Sequence, residues 1–312
     1  MSGGAATAAG SVVVASAPGR VLLSGAAPGP RVSVALDRRA ECRVETSAPG
    51  VVIEAKDALT KTAAVDVAEL VAKAPGSIAA RVLELAAVRS ELRVVTEWKL
   101  PAGSGVDGDS ALAVAATAAV ARILGRNLEQ QELLRLAREA SRRAGRRDED
   151  GHHGALWGGV VLTEGAGDSL AAKALGVDPG RVEEALLLVD AGEAGAEPAR
   201  APAVRAAGLM ERVVAALVAG RSEELVALFG EEAGEAQEGP VPVPGVQRVL
   251  DVVRAAGGAA RSLPQGRLVA VWAPPGSRGP GRGEAVREAL KAAGWKPVAI
   301  RVDLRGLDVQ SG

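Results

Sequence analysis

Tyrosine is missing from this 312-residue sequence, and Phe229 is its single phenylalanine. Four tryptophans complete the aromatic set, so the chain has few flat side chains on which bases could stack, which argues against a nucleic-acid platform. Cysteine is almost as scarce: Cys42 stands alone, and no disulfide can form within the chain. The two histidines, His152 and His153, leave too few soft donors for a Cys/His zinc site. A reduced, cytoplasmic setting is the expectation. An excess of either charge is lacking too: 37 basic against 38 acidic residues give a net charge of −1. That balance gives no reason to expect nucleic acid or an acidic membrane as partner. No stretch supplies the roughly 20 uninterrupted apolar residues of a membrane span. The opening Met-Ser-Gly-Gly-Ala-Ala-Thr-Ala-Ala-Gly has no basic segment ahead of an apolar one, so no signal peptide is expected.

What is there is aliphatic. Apolar residues make up 48% of the chain, enough for one large domain or two packed lobes. Short β-branched runs at 12–16 and 20–24 flank Ala17-Pro18-Gly19, a turn signal, and further strands are predicted at 31–36, 41–46 and 51–55. Helical spacing covers 65–74 and 77–88, the second with Ser77 placed to cap it. Residues 91–99 alternate as a strand, and the next helices are predicted after Ser110 and at 127–144. A charged connector, 145–154, leads to a strand at 160–163. Later strands are predicted at 184–190, 267–272 and 298–302, and helices at 203–218, 222–229, 246–256 and 284–293. This alternation predicts an α+β protein.

The segment Leu100-Pro101-Ala102-Gly103-Ser104-Gly105-Val106-Asp107-Gly108-Asp109-Ser110 joins the strand at 91–99 to an apolar helix. Its glycines let several backbone N–H groups gather near an anion, and the helix N-terminus adds about half a positive charge. Asp107 and Asp109 put two negative charges in the same place. Two readings follow. One is phosphate binding, with Asp109 or Ser110 reaching a magnesium ion; the other is a strand-to-helix turn in which Asp109 is the N-cap.

Four segments together resemble the GHMP kinases, the superfamily of galactokinase, homoserine kinase, mevalonate kinase and phosphomevalonate kinase. Ser16-Ala17-Pro18-Gly19-Arg20-Val21-Leu22-Leu23-Ser24-Gly25 resembles the first motif, most closely as mevalonate kinases have it; Gly103-Ser104-Gly105 and the C-terminal segment also suit the sugar kinases, which come second. Residues 101–111 align without gaps on the second motif, Pro-x-Gly-x-Gly-Leu-Gly-Ser-Ser-Ala-Ala. Trp157-Gly158-Gly159 resembles the strand entry after the family's aspartate, and 186–192 the strand that opens its second lobe. The resemblance implies a two-lobe α+β GHMP kinase fold, with an N-terminal lobe at 1–192 like a ribosomal-protein fold and a ferredoxin-like C-terminal lobe at 193–312. It implies ATP and Mg2+ as cofactors, a small hydroxylated metabolite as substrate, and leaves room for a homodimer. Carried over position by position, Gly103, Ser104, Gly105, Gly108, Asp109 and Ser110 would hold the nucleotide. Ser110 and Glu139 would reach the metal, and Asp150 and Arg20 would serve catalysis, with the arginines of 142–147 as further cations. An inactive binding protein of the same fold is the alternative.

The chain departs from these patterns at specific places. Asp107 stands where the second motif has its third glycine, and Gly108 and Asp109 stand for its two serines. Gly25-Ala26-Ala27 replaces Gly-Glu-His in the first motif. Counting back from Gly158-Gly159 puts the family's aspartate at Gly151, one residue beyond Asp150. The third motif is reduced to Gly257-Gly258-Ala259-Ala260-Arg261-Ser262-Leu263-Pro264-Gln265-Gly266. The run Asp148-Glu149-Asp150-Gly151-His152-His153 reads either as a shifted catalytic carboxylate beside basic residues or as a solvated charged loop.

Overall fold

The computed structural model describes residues 11–25, 29–46, 49–88, 91–99, 104–146, 151–165, 170–192, 203–235, 243–263, 267–274 and 282–312. Two long antiparallel strands, β1 (Val12–Gly25) and β2 (Arg31–Thr46), form its spine. Each merges two of the short strands expected from the sequence. The turn signal at Ala17-Pro18-Gly19 is instead a bulge, where the β1–β2 register shifts between Pro18 and Arg20. A bulge lets a proline sit inside a strand, because the local ladder is already interrupted. A Cβ at Gly19 would strike the Trp98 indole, so that glycine also makes room for packing.

A hairpin of β3 (Val51–Ala55) and β4 (Thr60–Ala64) precedes α1 (Val67–Lys73) and α2 (Ile78–Leu85). Asp66 and Ser77 cap these helices, accepting from the N–H groups of Glu69 and Ala80. β5 (Leu92–Trp98) lies antiparallel to β2 and parallel to β3. After it come α3 (Gly108–Ile123), α4 (Gln130–Arg143), α5 (Gly151–Trp157), and a hairpin of β6 (Val160–Glu164) and β7 (Ala171–Leu175). Twelve of the sixteen residues of α3 are buried, because the helix packs against β1, β2, α2, α4 and α5. The charged connector ends sooner than expected: α5 starts at Gly151 and both histidines are inside it.

The second half supplies α6 (Pro179–Ala185), β8 (Leu186–Asp190), α7 (Ala203–Ala219), α8 (Ser222–Glu235), α9 (Pro244–Ala255), β9 (Ala259–Ser262), β10 (Leu268–Trp272), α10 (Arg282–Ala292) and β11 (Val298–Ala299). Its sheet, ordered β11-β8-β10-β9, is antiparallel. Period-two alternation sorts its faces. Leu187, Val189, Val269 and Val271 pack with Val246, Val249, Val253, Val286 and Leu290 of α9 and α10. Leu186, Leu188, Ala270 and Trp272 turn the other way, into a core shared with α7 and α8 and with Val21, Leu23, Val32 and Val34 of the first sheet. The halves therefore share one apolar interior. The second sheet begins at β8, ahead of residue 193, and the last strand, β12 (Asp308–Ser311), returns to pair with β1. Arg39 fastens that return by pairing with Asp303 and donating to the carbonyl oxygens of Ser16 and Gly306, each at 2.7 Å. Among the described residues no helix is long and apolar enough to cross a membrane.

Candidate functional site

The segment between β5 and α3 is held from both sides. Gly103 and Asp150, both expected at the site, lie outside the described residues. Ser104 is buried, its carbonyl accepts from Leu268 N–H at 3.3 Å, and its hydroxyl accepts from Val106 N–H at 3.4 Å. Gly105 has φ +82°, a left-handed conformation that glycine adopts without strain. Val106 then inserts into the shared core. The loop is thus pinned by backbone and packing, which a turn carrying three glycines needs if it is to hold one shape.

Asp107, and not Asp109, caps α3. Its Oδ1 accepts from Ser110 N–H at 3.0 Å, and Arg20 Nε donates to its Oδ2 at 3.0 Å. Asp107 N–H in turn donates to the Arg20 carbonyl at 3.1 Å, so β1 and the loop are tied twice. Side-chain exposures of 5% and 11% make Arg20–Asp107 a buried ion pair. Removing one partner from such a pair typically costs about 3–5 kcal/mol, because the other charge is left without compensation.

Gly151 opens onto this pair from α5. A Cβ there would overlap Asp107 Oδ2 and come within 2.6 Å of Arg20 Nε and 2.7 Å of Ser110 Oγ. The Asp107 carboxylate therefore occupies the volume into which a side chain at 151 would grow. Ser110 is 2% exposed and its hydroxyl oxygen has no hydrogen-bond partner among the described residues. A buried hydroxyl left so is costly, and here it sits with a cation and a carboxylate at a helix start.

The remaining expected residues divide clearly. Gly108 is glycine for packing: a Cβ there would press on the Trp98 indole at 2.5 Å. Asp109, two residues from the cap, is about half exposed and pairs with Arg146 at 3.1 Å. Desolvation raises its carboxyl above the ordinary carboxylate range against the pull of Arg146, and the nearby Asp107 charge adds to the rise. Glu139 turns its carboxylate to Arg143 and Arg142, which hold it below the usual range, so the expected metal ligand is engaged by two guanidinium groups. The solvated-loop reading of His152 and His153 does not hold. His152 is fully buried with Nε2 3.0 Å from Ser141 Oγ, while His153 packs at a tilt against Trp157, ring centroids 4.9 Å apart, and lies 3.1 Å from Arg138. Burial pushes the Cys42 thiol up to about 12, which removes it as a nucleophile.

Two arrangements escaped the sequence reading. At the far end of β1, Glu232 of α8 accepts from Ser24 Oγ and Gly25 N–H, each at 2.8 Å, and pairs with Arg261 at 3.1 Å. It brings a carboxylate to the edge of the first motif, where the sequence itself has only alanines. A cavity of about 370 Å³ lies between the lobes, with Leu36, Leu188 and Ile300 in its wall and Lys99, Asp190 and Arg267 among its charged groups. Only the crossing of both lobes reveals either feature.

Residues 65–154 match the sequence pattern of the GHMP kinases N terminal domain, a span that includes Asp107, Ser110 and Gly151. The whole architecture matches a D-glycero-D-manno-heptose 1-phosphate kinase from Bacteriodes thetaiotaomicron at TM-score 0.74 and 19% identity, covering 96% of this chain and 98% of that one. The chain has the GHMP kinase fold. It is also similar to a homoserine kinase from Cytophaga hutchinsonii (TM-score 0.66, 18% identity, 96% and 97% covered). An L. major mevalonate kinase, solved with R-mevalonate, gives TM-score 0.66 at 14% identity, with 92% and 95% covered. No curated protein matches the chain in sequence. The GHMP fold and its N-terminal domain are thus common to enzymes whose names carry different acceptors, and the acceptor is not read from the fold.

Proposed function

We propose that this protein is a small-molecule kinase that transfers the γ-phosphoryl group of ATP to a hydroxyl of a metabolite, a cytoplasmic enzyme whose partner is that metabolite and neither nucleic acid nor membrane. The observation that carries this reading is the buried, unpartnered Ser110 hydroxyl on the first turn of α3, beside Arg20. A helix start with such a group and a guanidinium suits an anion. The N–H groups of Gly108 and Asp109 come ahead of the first intrahelical bond, so the helix itself gives them no acceptor.

The donor set also fits magnesium. Magnesium is a hard cation that takes one or two carboxylates together with phosphate oxygens and waters. Ser110 and Asp109 supply a hydroxyl and a partly exposed carboxylate, and Glu139 is excluded by its arginines. A bound magnesium ion would neutralise phosphate charge. Arg20 and Arg146 would add positive charge over the phosphates, and the Ser104–Leu268 link keeps the loop's approach fixed.

A second reading has an observation of its own. Asp107 already accepts the Ser110 N–H that an anion would use, as in a binding protein of this fold that has given up nucleotide. Calorimetry with magnesium and ATP separates the two. Binding at or below millimolar ATP, followed by phosphorylation of one member of a panel containing R-mevalonate, homoserine and a heptose 1-phosphate, is expected for the kinase. No heat of binding at millimolar ATP would leave only the binding-protein reading.

A further inference from the structure

We propose that Asp107 is the carboxylate that receives the acceptor's hydroxyl proton, reaching from the α3 side into the space that a side chain at 151 would fill. This rests on the kinase reading above. Three observations lead to it. The first is volume: Asp107 Oδ2 lies where the first side-chain atom of residue 151 would be, so only one of the two positions can carry a side chain there. The second is chemistry. An ionised carboxylate offers about four lone-pair sites. Ser110 N–H takes one on Oδ1 and Arg20 Nε takes one on Oδ2, which fixes the group's direction and leaves a lone pair on each oxygen. The third comes from the sequence alone: relative to the kinase patterns, 107 has gained an aspartate in place of glycine and 151 has gained a glycine in place of aspartate. The two departures are reciprocal, and the structure puts them in contact.

In the step itself, the acceptor oxygen forms a bond to the γ-phosphorus as the bond from that phosphorus to the β,γ-bridging oxygen breaks. ADP leaves with the electron pair. The hydroxyl proton passes to Asp107 and from there to solvent, so the sum is alcohol plus ATP giving phosphate ester, ADP and a proton. Arg20 stays paired throughout and keeps the carboxylate aimed.

The test compares wild type with Asp107→Asn, Asp107→Gly, Gly151→Asp and the reciprocal exchange Asp107→Gly/Gly151→Asp. Loss of general-base help typically slows a reaction by about 10²–10⁴-fold. Asp107→Asn should therefore lower kcat at least about 100-fold while leaving the affinity for magnesium and ATP within about threefold of wild type, the split expected of a carboxylate that meets the acceptor and not the nucleotide. The reciprocal exchange should recover at least about tenfold of the rate lost in Asp107→Gly, a fraction of the general-base effect. Without any ligand, its melting midpoint should exceed the sum of the two single changes, because each single change leaves either a void or a collision. An Asp107→Asn protein with unchanged kcat overturns the proposal and leaves the kinase reading standing. So does a tenfold or greater tightening of ATP binding, which would mark Asp107 as an occupant of the phosphate site. Wild type that does not bind ATP overturns both.

Discussion

Two carboxylates meet β1, one near its middle and one at its end, and they do so by different routes. Asp107 and Glu232 each accept a backbone N–H and each pair with an arginine. Asp107 is local on one side only: its N–H partner lies three residues along the chain, while its arginine comes from β1, 87 residues earlier. Glu232 is remote, more than two hundred residues from Ser24 and Gly25, and it joins one lobe to the other. The difference in burial is as large. The Arg20–Asp107 pair is nearly sealed, whereas Glu232 and Arg261 are each about one-fifth exposed. The lesson is that the same chemical pattern does two jobs, orienting a group inside the site in one place and fastening the walls of the cleft in the other.

The comparison is broken most severely at the sealed pair. Arg20→Met leaves Asp107 charged, buried and without its guanidinium, and should destabilise the protein by about 3–5 kcal/mol in urea unfolding. A loss no larger than that of an exposed ion pair, within about 1 kcal/mol, would mean that Asp107 is solvated and poorly fixed. Next in size is Gly108→Ala, which tests whether the loop's last glycine serves packing. Its methyl group would press on Trp98, and about 1–3 kcal/mol of overpacking is expected. Combining it with Trp98→Leu should return most of that loss, read from the same unfolding curves.

Glu232→Gln addresses the open end of the comparison. It removes the charge that Arg261 and Gly25 N–H share, and about 1–2 kcal/mol should be lost, near the low end for hydrogen bonds to a charged group because the pair is partly exposed. Proteolysis should also find the junction of the lobes more readily. The smallest effect belongs to Asp109. A carboxyl whose folded-state value is raised binds its proton more tightly when folded, so its contribution favours the fold at acid pH and fades as the pH rises through that raised value. Asp109→Asn should consequently raise the melting midpoint slightly at neutral pH, with the gain disappearing in acid below the usual carboxylate range. A loss at neutral pH that vanished in acid would show that Arg146 outweighs desolvation.

Much of the fold was legible before any coordinates. The strand, glycine loop and buried helix around 91–121 follow from period-two alternation ending at Trp98, three punctuating glycines and an apolar run too continuous for a surface helix. The Ser77 cap and β8 with its Asp190 end were equally plain. Local signals split β1 and β2 into four short strands, because Pro and Gly signal a turn locally while a long antiparallel partner can absorb them in a bulge. The site was legible only in part. The sequence names Arg20 and Ser110, which the structure brings together around Asp107, but its turn reading puts the cap at Asp109, two residues past Asp107, and local spacing does not show that the i+3 and i+4 arginines engage Glu139.

By itself the sequence determined the α+β architecture, the aliphatic core, the absence of any intrachain disulfide and the place where the chain departs from the kinase patterns. Those are consequences of residue type and local spacing, which short-range sterics and solvent exposure translate directly into strands, helices and turns. Only the tertiary structure decided what the departures mean. Residues 107 and 151 are forty-four positions apart, and nothing in local spacing says that an aspartate at one fills the space left by a glycine at the other. That follows from α5 and the start of α3 packing against the same stretch of β1, where volume is shared and two side chains cannot occupy it at once.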